Sequence, residues 1–203
     1  MILGPEQVKA ILGKYLDILR ECMEAAWKRY HETITEDGRV DLTPRSRASV
    51  VYDYIVAITI KRFLELDDSF VSLDRRRGFL LMNFGGKILL RFKKFNKRMR
   101  PEGIRTRQNV SFMTQGQGIL LECVTATKLV AGYKLDDFQS GIELMAIVCP
   151  DGNKCELYLE LDKPPMAEVV TLRQEYEEEQ KQVAPRVRPK EGVKDEDTGG
   201  EII

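Results

Sequence analysis

Apolar positions in the first third of the chain recur at helical spacing. From Pro5 onward they fall at Val8, Ile11, Leu12, Tyr15, Leu16, Leu19, Met23, Ala26, Trp27 and Tyr30. That stripe predicts one helix of about seven turns, opened by Gly4-Pro5 with proline at the first helical position. The stripe is broad enough to meet both a second helix and a sheet. Ile34 to Leu42 reads as a loop with a turn at Glu36-Asp37-Gly38. Thr43-Pro44 then opens a second helix carrying Val50, Val51, Tyr54, Ile55, Ile58, Phe63 and Leu66. Its Val50–Ile60 run is apolar nearly all round, which predicts a central position, although its β-branched residues are weak helix formers.

Beyond Leu66 the pattern shortens to strands. Phe70–Leu73 is a short strand, and Asp74–Gly78 turns into a hairpin. The hairpin runs Phe79–Met82, a turn at Asn83-Phe84-Gly85-Gly86, and Lys87–Phe92. Gly85-Gly86 supplies the positive φ angles that a tight hairpin requires. Asn96–Gly103 is a basic loop, and Thr106 caps a short helix to about Gln115 with Val110 and Met113 on one face. Val124–Lys134, Ile142–Cys149 and Lys154–Leu161 read as further strands, the last two joined by a turn at Pro150–Asn153. Segregated helices and sequential strands predict an α+β domain over residues 1–165. Its expected form is an antiparallel sheet of five or six strands with the two long helices packed on one face. Residues 166–203 are expected to be an acidic tail, partly helical from Met166 to Val183 and disordered from Ala184 to Ile203.

Charge changes this picture. The chain is formally neutral, with 32 basic and 32 acidic residues. Yet Arg75–Arg107 holds twelve Lys and Arg against one acid, Glu102, so the remainder carries the opposite balance. Clustered cations fit a phosphate backbone, where each contact releases condensed counterions. The candidate contacts to nucleic acid or to an acidic partner are Arg75, Arg76, Arg77, Arg91, Lys93, Lys94, Lys97, Arg98, Arg100, Arg105 and Arg107. Arg91 and Lys93, two positions apart on a strand, are expected to share a face. Phe92 and Phe95, interleaved with them, are positioned either to stack on bases or to enter the core. The same segment suits the chain's own acidic tail, with Glu175, Glu177, Glu178 and Glu179 close together.

Candidate catalytic chemistry is sparse. A metal-dependent nuclease needs paired carboxylates, and no acid lies between Asp74 and Glu102. Glu143, Glu156, Glu160 and Asp162 lie on later strands, and Glu160-Leu161-Asp162-Lys163 has a superficial metal-and-lysine look at a strand end. Gly116 and Gly118 form GxG without the rest of a phosphate loop. Cys22, Cys123, Cys149 and Cys155 are scattered without a CxxC pair and read as reduced thiols. His31 is the only histidine, placed near the end of the first helix, which argues against His-based metal sites and triads. No cofactor or metal is expected. No apolar run reaches membrane-spanning length, and the first residues carry no charged-then-apolar leader, so the expected location is the cytoplasm.

One set of residues resembles a family. Ile88-Leu89-Leu90-Arg91-Phe92-Lys93-Lys94, then Thr106-Arg107-Gln108 and Gln115, then Ala126-Thr127-Lys128-Leu129-Val130-Ala131-Gly132-Tyr133 resemble small bacterial proteins with the pattern RFKK, T-x-Q and ATxLxxGY. The resemblance covers roughly Ser49 to Leu161. It implies a place beside repressor-type regulators bearing a zinc-peptidase-like domain, in toxin–antitoxin or phage-defence pairs. It supplies no catalytic residues. The resulting expectation is a protein acting by macromolecular binding in such a pair, with a neighbour-encoded regulator or nucleic acid as partner. A nucleic-acid-binding regulator outside any pair and a metal-dependent nuclease toxin stay open as alternatives.

Overall fold

The computed structural model describes residues 2–76, 78–104, 106–115, 126–152 and 154–161, with the side chain of Arg76 left out. The acidic tail, its expected contact with the basic segment, Asp162, Cys123 and the Gly116–Gly118 pair lie outside the described residues. Helix α1 spans Pro5–Thr33, and Gly4 N–H donates to Gln7 Oε1 at its start. Its buried side chains, Val8, Leu12, Tyr15, Leu19, Cys22, Met23, Ala26 and Tyr30, step by three and four residues and form one seam. Helix α3, Pro44–Leu66, begins at an N-cap in which Thr43 Oγ1 accepts from Ser46 N. It lies antiparallel to α1: Arg62 pairs with Glu21, and Lys14 and Tyr15 both bond Asp68, just past the end of α3.

Helix α3 is not apolar-buried all round. Val51, Ile55, Val56, Thr59 and Phe63 are buried, whereas Asp53 and Ala57, inside the Val50–Ile60 run, are exposed. The stretch expected to be a loop holds a short helix, α2, at Glu36–Asp41. Thr35 caps it, its Oγ1 accepting from Gly38 N, and Glu36 and Asp37 suit the positive end of the dipole. A glycine in the middle makes such a helix look like a turn.

Six strands follow: β1 Val71–Arg76, β2 Phe79–Phe84, β3 Ile88–Lys94, β4 Thr127–Leu135, β5 Ile142–Asp151 and β6 Lys154–Glu160. They form one sheet in sequence order. Strand β1 runs further than Phe70–Leu73, so Arg75 and Arg76 belong to a strand and not to a turn. The β2–β3 turn is shorter than read, because Asn83 and Phe84 belong to β2; Gly85 and Gly86 have φ of 56° and 71°, and a side chain at Gly85 would collide with the Phe70 ring.

The sheet is mixed, which corrects the antiparallel expectation. Strands β3 and β4 are parallel over seven register pairs, from Ile88 opposite Thr127 to Lys94 opposite Tyr133. The chain between them includes α4, Arg107–Met113, and returns β4 to the same end of the sheet. Both strands are buried on both faces, as parallel central strands are.

One face carries Leu80, Met82, Phe84, Ile88, Leu90, Phe92, Leu129, Ala131, Ile147 and Leu159 against α1 and α3. The opposite face carries Leu81, Leu89, Val130, Ala146 and Val148, covered in part by Phe112 of α4 and by Phe95. Helix α4 docks through Phe112 with Met113 packed beside it, whereas Val110, expected on the same face as Met113, is exposed. No described helix is long and apolar enough to cross a membrane.

Candidate functional site

Strands β2 and β3 begin as a regular hairpin and then diverge. Only three pairs join them, ending at Met82 opposite Leu90. Beyond that point Leu80 N–H donates to Tyr52 Oη of α3 at 2.9 Å, so a phenol closes the top of the gap. Below it lies a cavity of about 720 Å³. Its walls come from the first turns of α3 (Arg45, Ser49, Tyr52), the start of β2 (Phe79), the end of β3 (Lys93, Lys94) and the 102–109 segment.

The cleft is cationic. Among its lining residues Glu102 is the one carboxylate, facing Arg45, Lys93 and Lys94. Arg91 stands behind the wall, 5% exposed, with its guanidinium 4.2 Å from the Phe112 ring centre and 5.5 Å from that of Phe79. Its Nε is buried without a hydrogen-bond partner. Lys93 Nζ lies 5.6 Å from the same Phe79 ring, so Arg91 and Lys93 do share a side of the strand. Lys93 forms no ion pair or hydrogen bond among the described residues, and a methyl at Gly103 would stand 3.2 Å from its Nζ. Burial and then the charge of Arg91 lower the Lys93 pKa, and burial likewise lowers that of Arg91. Lys94 is partly neutralised by Glu102 at 3.9 Å. Burial raises the Tyr52 phenol, and the bond from Leu80 N–H and then the charge of Arg91 oppose it; Arg75 stands opposite Leu80 in the β1–β2 register. The arrangement suits an anion: a donor-rich, half-desolvated recess with one unpaired ammonium facing it.

The predicted residues divide by position. Lys93 and Lys94 line the cleft, Arg91 stands beside Lys93 over the Phe79 ring, and Arg75 faces Leu80 across β1–β2. Arg91 is buried and so does not belong to an exposed positive face. Lys97 is paired with Asp137 at 2.6 Å. Arg98 and Arg100 lie on the 96–100 turn, where Asn96 Oδ1 accepts from both their backbone N–H groups. Arg107 begins α4 and is exposed. Arg76 ends β1, and Arg77 and Arg105 lie outside the described residues. Phe92 and Phe95 are core residues, each 1% exposed, so neither is placed to stack on a base. Arg45 and Tyr52 were missed: both belong to α3, remote in sequence from the basic segment, and only the fold brings them to it.

The motif residues of the resemblance do structural work. Thr106 caps α4, its Oγ1 accepting from Asn109 N. Gln115 is buried; its Nε2 donates to Lys128 O and Pro150 O, and its Oε1 accepts from Lys128 N. Lys128 Nζ donates to Ser111 O and Thr114 O at the end of α4. Gly132 lets the Lys93 carbonyl and the Phe95 ring approach closely. Of the carboxylates considered for a metal, Glu143 pairs with Lys134 at 2.8 Å, and among the described residues no three His, Cys, Asp or Glu form a ligand set. Cys22, Cys149 and Cys155 are free thiols raised by burial, Cys149 to about 12. Comparison with known protein families, curated proteins and solved structures finds no match for this chain.

Proposed function

We propose that this chain acts by macromolecular binding, as a component of a toxin–antitoxin-like or defence pair, and that the cleft between β2 and β3 receives a backbone phosphate of nucleic acid. The unpaired Lys93 ammonium in a recess walled by further cations carries this reading. Arg45 and Lys94 flank it, Arg91 adds charge from behind, and Arg75 extends the positive field along β1. A half-buried lysine beside an arginine is held against its own electrostatic interest, and a bound anion relieves that cost. Readout of bases is not favoured, because the lining offers few amide side chains. Binding is therefore backbone-driven and indifferent to sequence.

The test is a titration of labelled single-stranded and duplex oligonucleotides at about 50 and 200 mM salt, where phosphate contacts differ strongly in strength. The full chain should bind at the lower salt with a steep salt slope. Lys93→Ala and Arg45→Ala should each weaken binding and reduce that slope by about one phosphate contact. Absence of binding at about 50 mM, or a Lys93→Ala variant indistinguishable from the parent, sinks the proposal.

A further inference from the structure

Beside the cleft lies a second cavity, of about 250 Å³, with its own chemistry. It is enclosed by the last turns of α1, by α2, by the start of α3 and by the ends of β3 and β4. Lys94 and Tyr133 stand in the wall between the two spaces and line both. The rings of Trp27, Tyr30, His31 and Tyr133 make one side: Trp27 is 5.6 Å from Tyr30, 4.7 Å from His31 and 6.2 Å from Tyr133 between centroids.

Three residues of this lining have a buried polar atom with no hydrogen-bond partner: Tyr30 Oη, His31 Nε2 and Arg47 Nε. Tyr30 is 2% exposed. Buried polar groups are nearly always satisfied, so three orphans on one small cavity are a pointed exception. All three are able to donate, the imidazole through one tautomer. Burial raises the Tyr30 phenol, and the charge of Arg47 opposes it. Arg39 is already committed, donating to His31 O and Ile34 O at the end of α1. Glu36 is exposed at the rim and forms no ion pair among the described residues. No acceptor of the lining bonds these three atoms, and the matching acceptor carries negative charge.

We propose that this cavity binds a small aromatic carboxylate, its ring against Trp27 and Tyr133 and its carboxylate accepting from Tyr30 Oη, Arg47 Nε and His31 Nε2. A carboxylate offers about four lone-pair sites on two oxygens, enough for three donors. The aromatic wall gives a flat apolar body a matching surface. This site uses donors that the oligonucleotide reading does not, and it stands or falls separately.

Trp27 is the sole tryptophan and lines the cavity, so its emission reports occupancy without a label. Benzoate titrated into the full chain should change that emission saturably. Acetate, lacking the ring, and benzyl alcohol, lacking the charge, should each bind at least about tenfold more weakly. Tyr30→Phe should weaken benzoate by about tenfold while leaving the melting temperature of the free protein level or higher, because it removes a hydroxyl that is unsatisfied without ligand. Arg47→Lys keeps the charge but loses the Nε donor, and should also weaken benzoate. The His31 imidazole signal should titrate at higher pH when benzoate is bound, since a neighbouring anion favours the cation. No saturable response to benzoate overturns the proposal. So does equal affinity for benzyl alcohol, or a Tyr30→Phe variant that binds benzoate as the parent does; in those cases ordered water satisfies the three donors.

Discussion

A methyl group at position 132 would meet the Lys93 carbonyl and would stand 2.9 Å from a Phe95 ring carbon, on a residue with ordinary backbone angles. The constraint is therefore close approach and not conformation. Gly132→Ala should destabilise by about 3 kcal/mol, the upper end of overpacking costs, because a backbone carbonyl yields less than a side-chain tip; chemical denaturation measures it. A second residue sets an acid limit. Asp68 accepts from Lys14 Nζ and Tyr15 Oη, each at 2.7 Å, and from Phe70 N at 3.0 Å. These bonds, Lys14 first, hold its carboxyl at about 2, below the ordinary 3.8. A carboxyl lowered in the folded state contributes stability that is present above pH 3.8 and is lost as pH falls through about 2. In acid titrations of stability, Asp68→Asn should flatten the profile across that window and leave the slope near neutrality unchanged. A variant as steep as the parent below pH 4 would show that these bonds carry no net linkage.

At the scale of elements, α4 shows what holds a short helix in place. Seven residues form few internal hydrogen bonds, so its position depends on Phe112, 0% exposed, and on the Gln115 and Lys128 contacts that tie its end to β4 and β5. Gln115→Ala leaves Lys128 N–H and the Lys128 and Pro150 carbonyls without this partner, and should cost about 3 kcal/mol. It should also loosen amide protection in Arg107–Met113 before the rest of the fold, as hydrogen exchange would read; uniform loss would mean that α4 is not a separate unit. The elements were legible where their signals are local. The α1 stripe, the Thr43 and Thr106 caps and the Gly85-Gly86 turn each act within a few residues. Helix α2 escaped because Gly38 at its centre outweighed Thr35, Glu36 and Asp37 at its start. The parallel β3–β4 pairing escaped for a different reason. Its trace was the unbroken apolar run in Ile88–Leu90 and in Leu129–Ala131, which suits a doubly covered strand of either orientation.

At the scale of the molecule, the charge imbalance marks a segment of the sequence but not its geometry. A count of cations does not distinguish Arg91, buried between two rings, from Lys97, exposed and paired with Asp137. Nor does it reach Arg45, Tyr52 or the three donors at Tyr30, His31 and Arg47, which only the antiparallel packing of α1 and α3 brings beside β3 and β4. The mixed sheet has a kinetic consequence. Its two antiparallel ribbons, β1–β2–β3 and β4–β5–β6, each form from near neighbours in sequence, and they join along a single parallel seam. Facing residues in that seam, such as Ile88 and Thr127, are 39 positions apart (127 less 88), so the seam closes a long loop while every other strand contact closes a short one. Each ribbon is thus free to assemble before the two meet, and the joint between them should be the late event in folding. Ala131, 0% exposed and opposite Phe92 in the seam, is the place to ask. Ala131→Gly should speed unfolding and leave the folding rate nearly unchanged, a φ-value near zero; a value near one would put the seam in the nucleus and reverse the order.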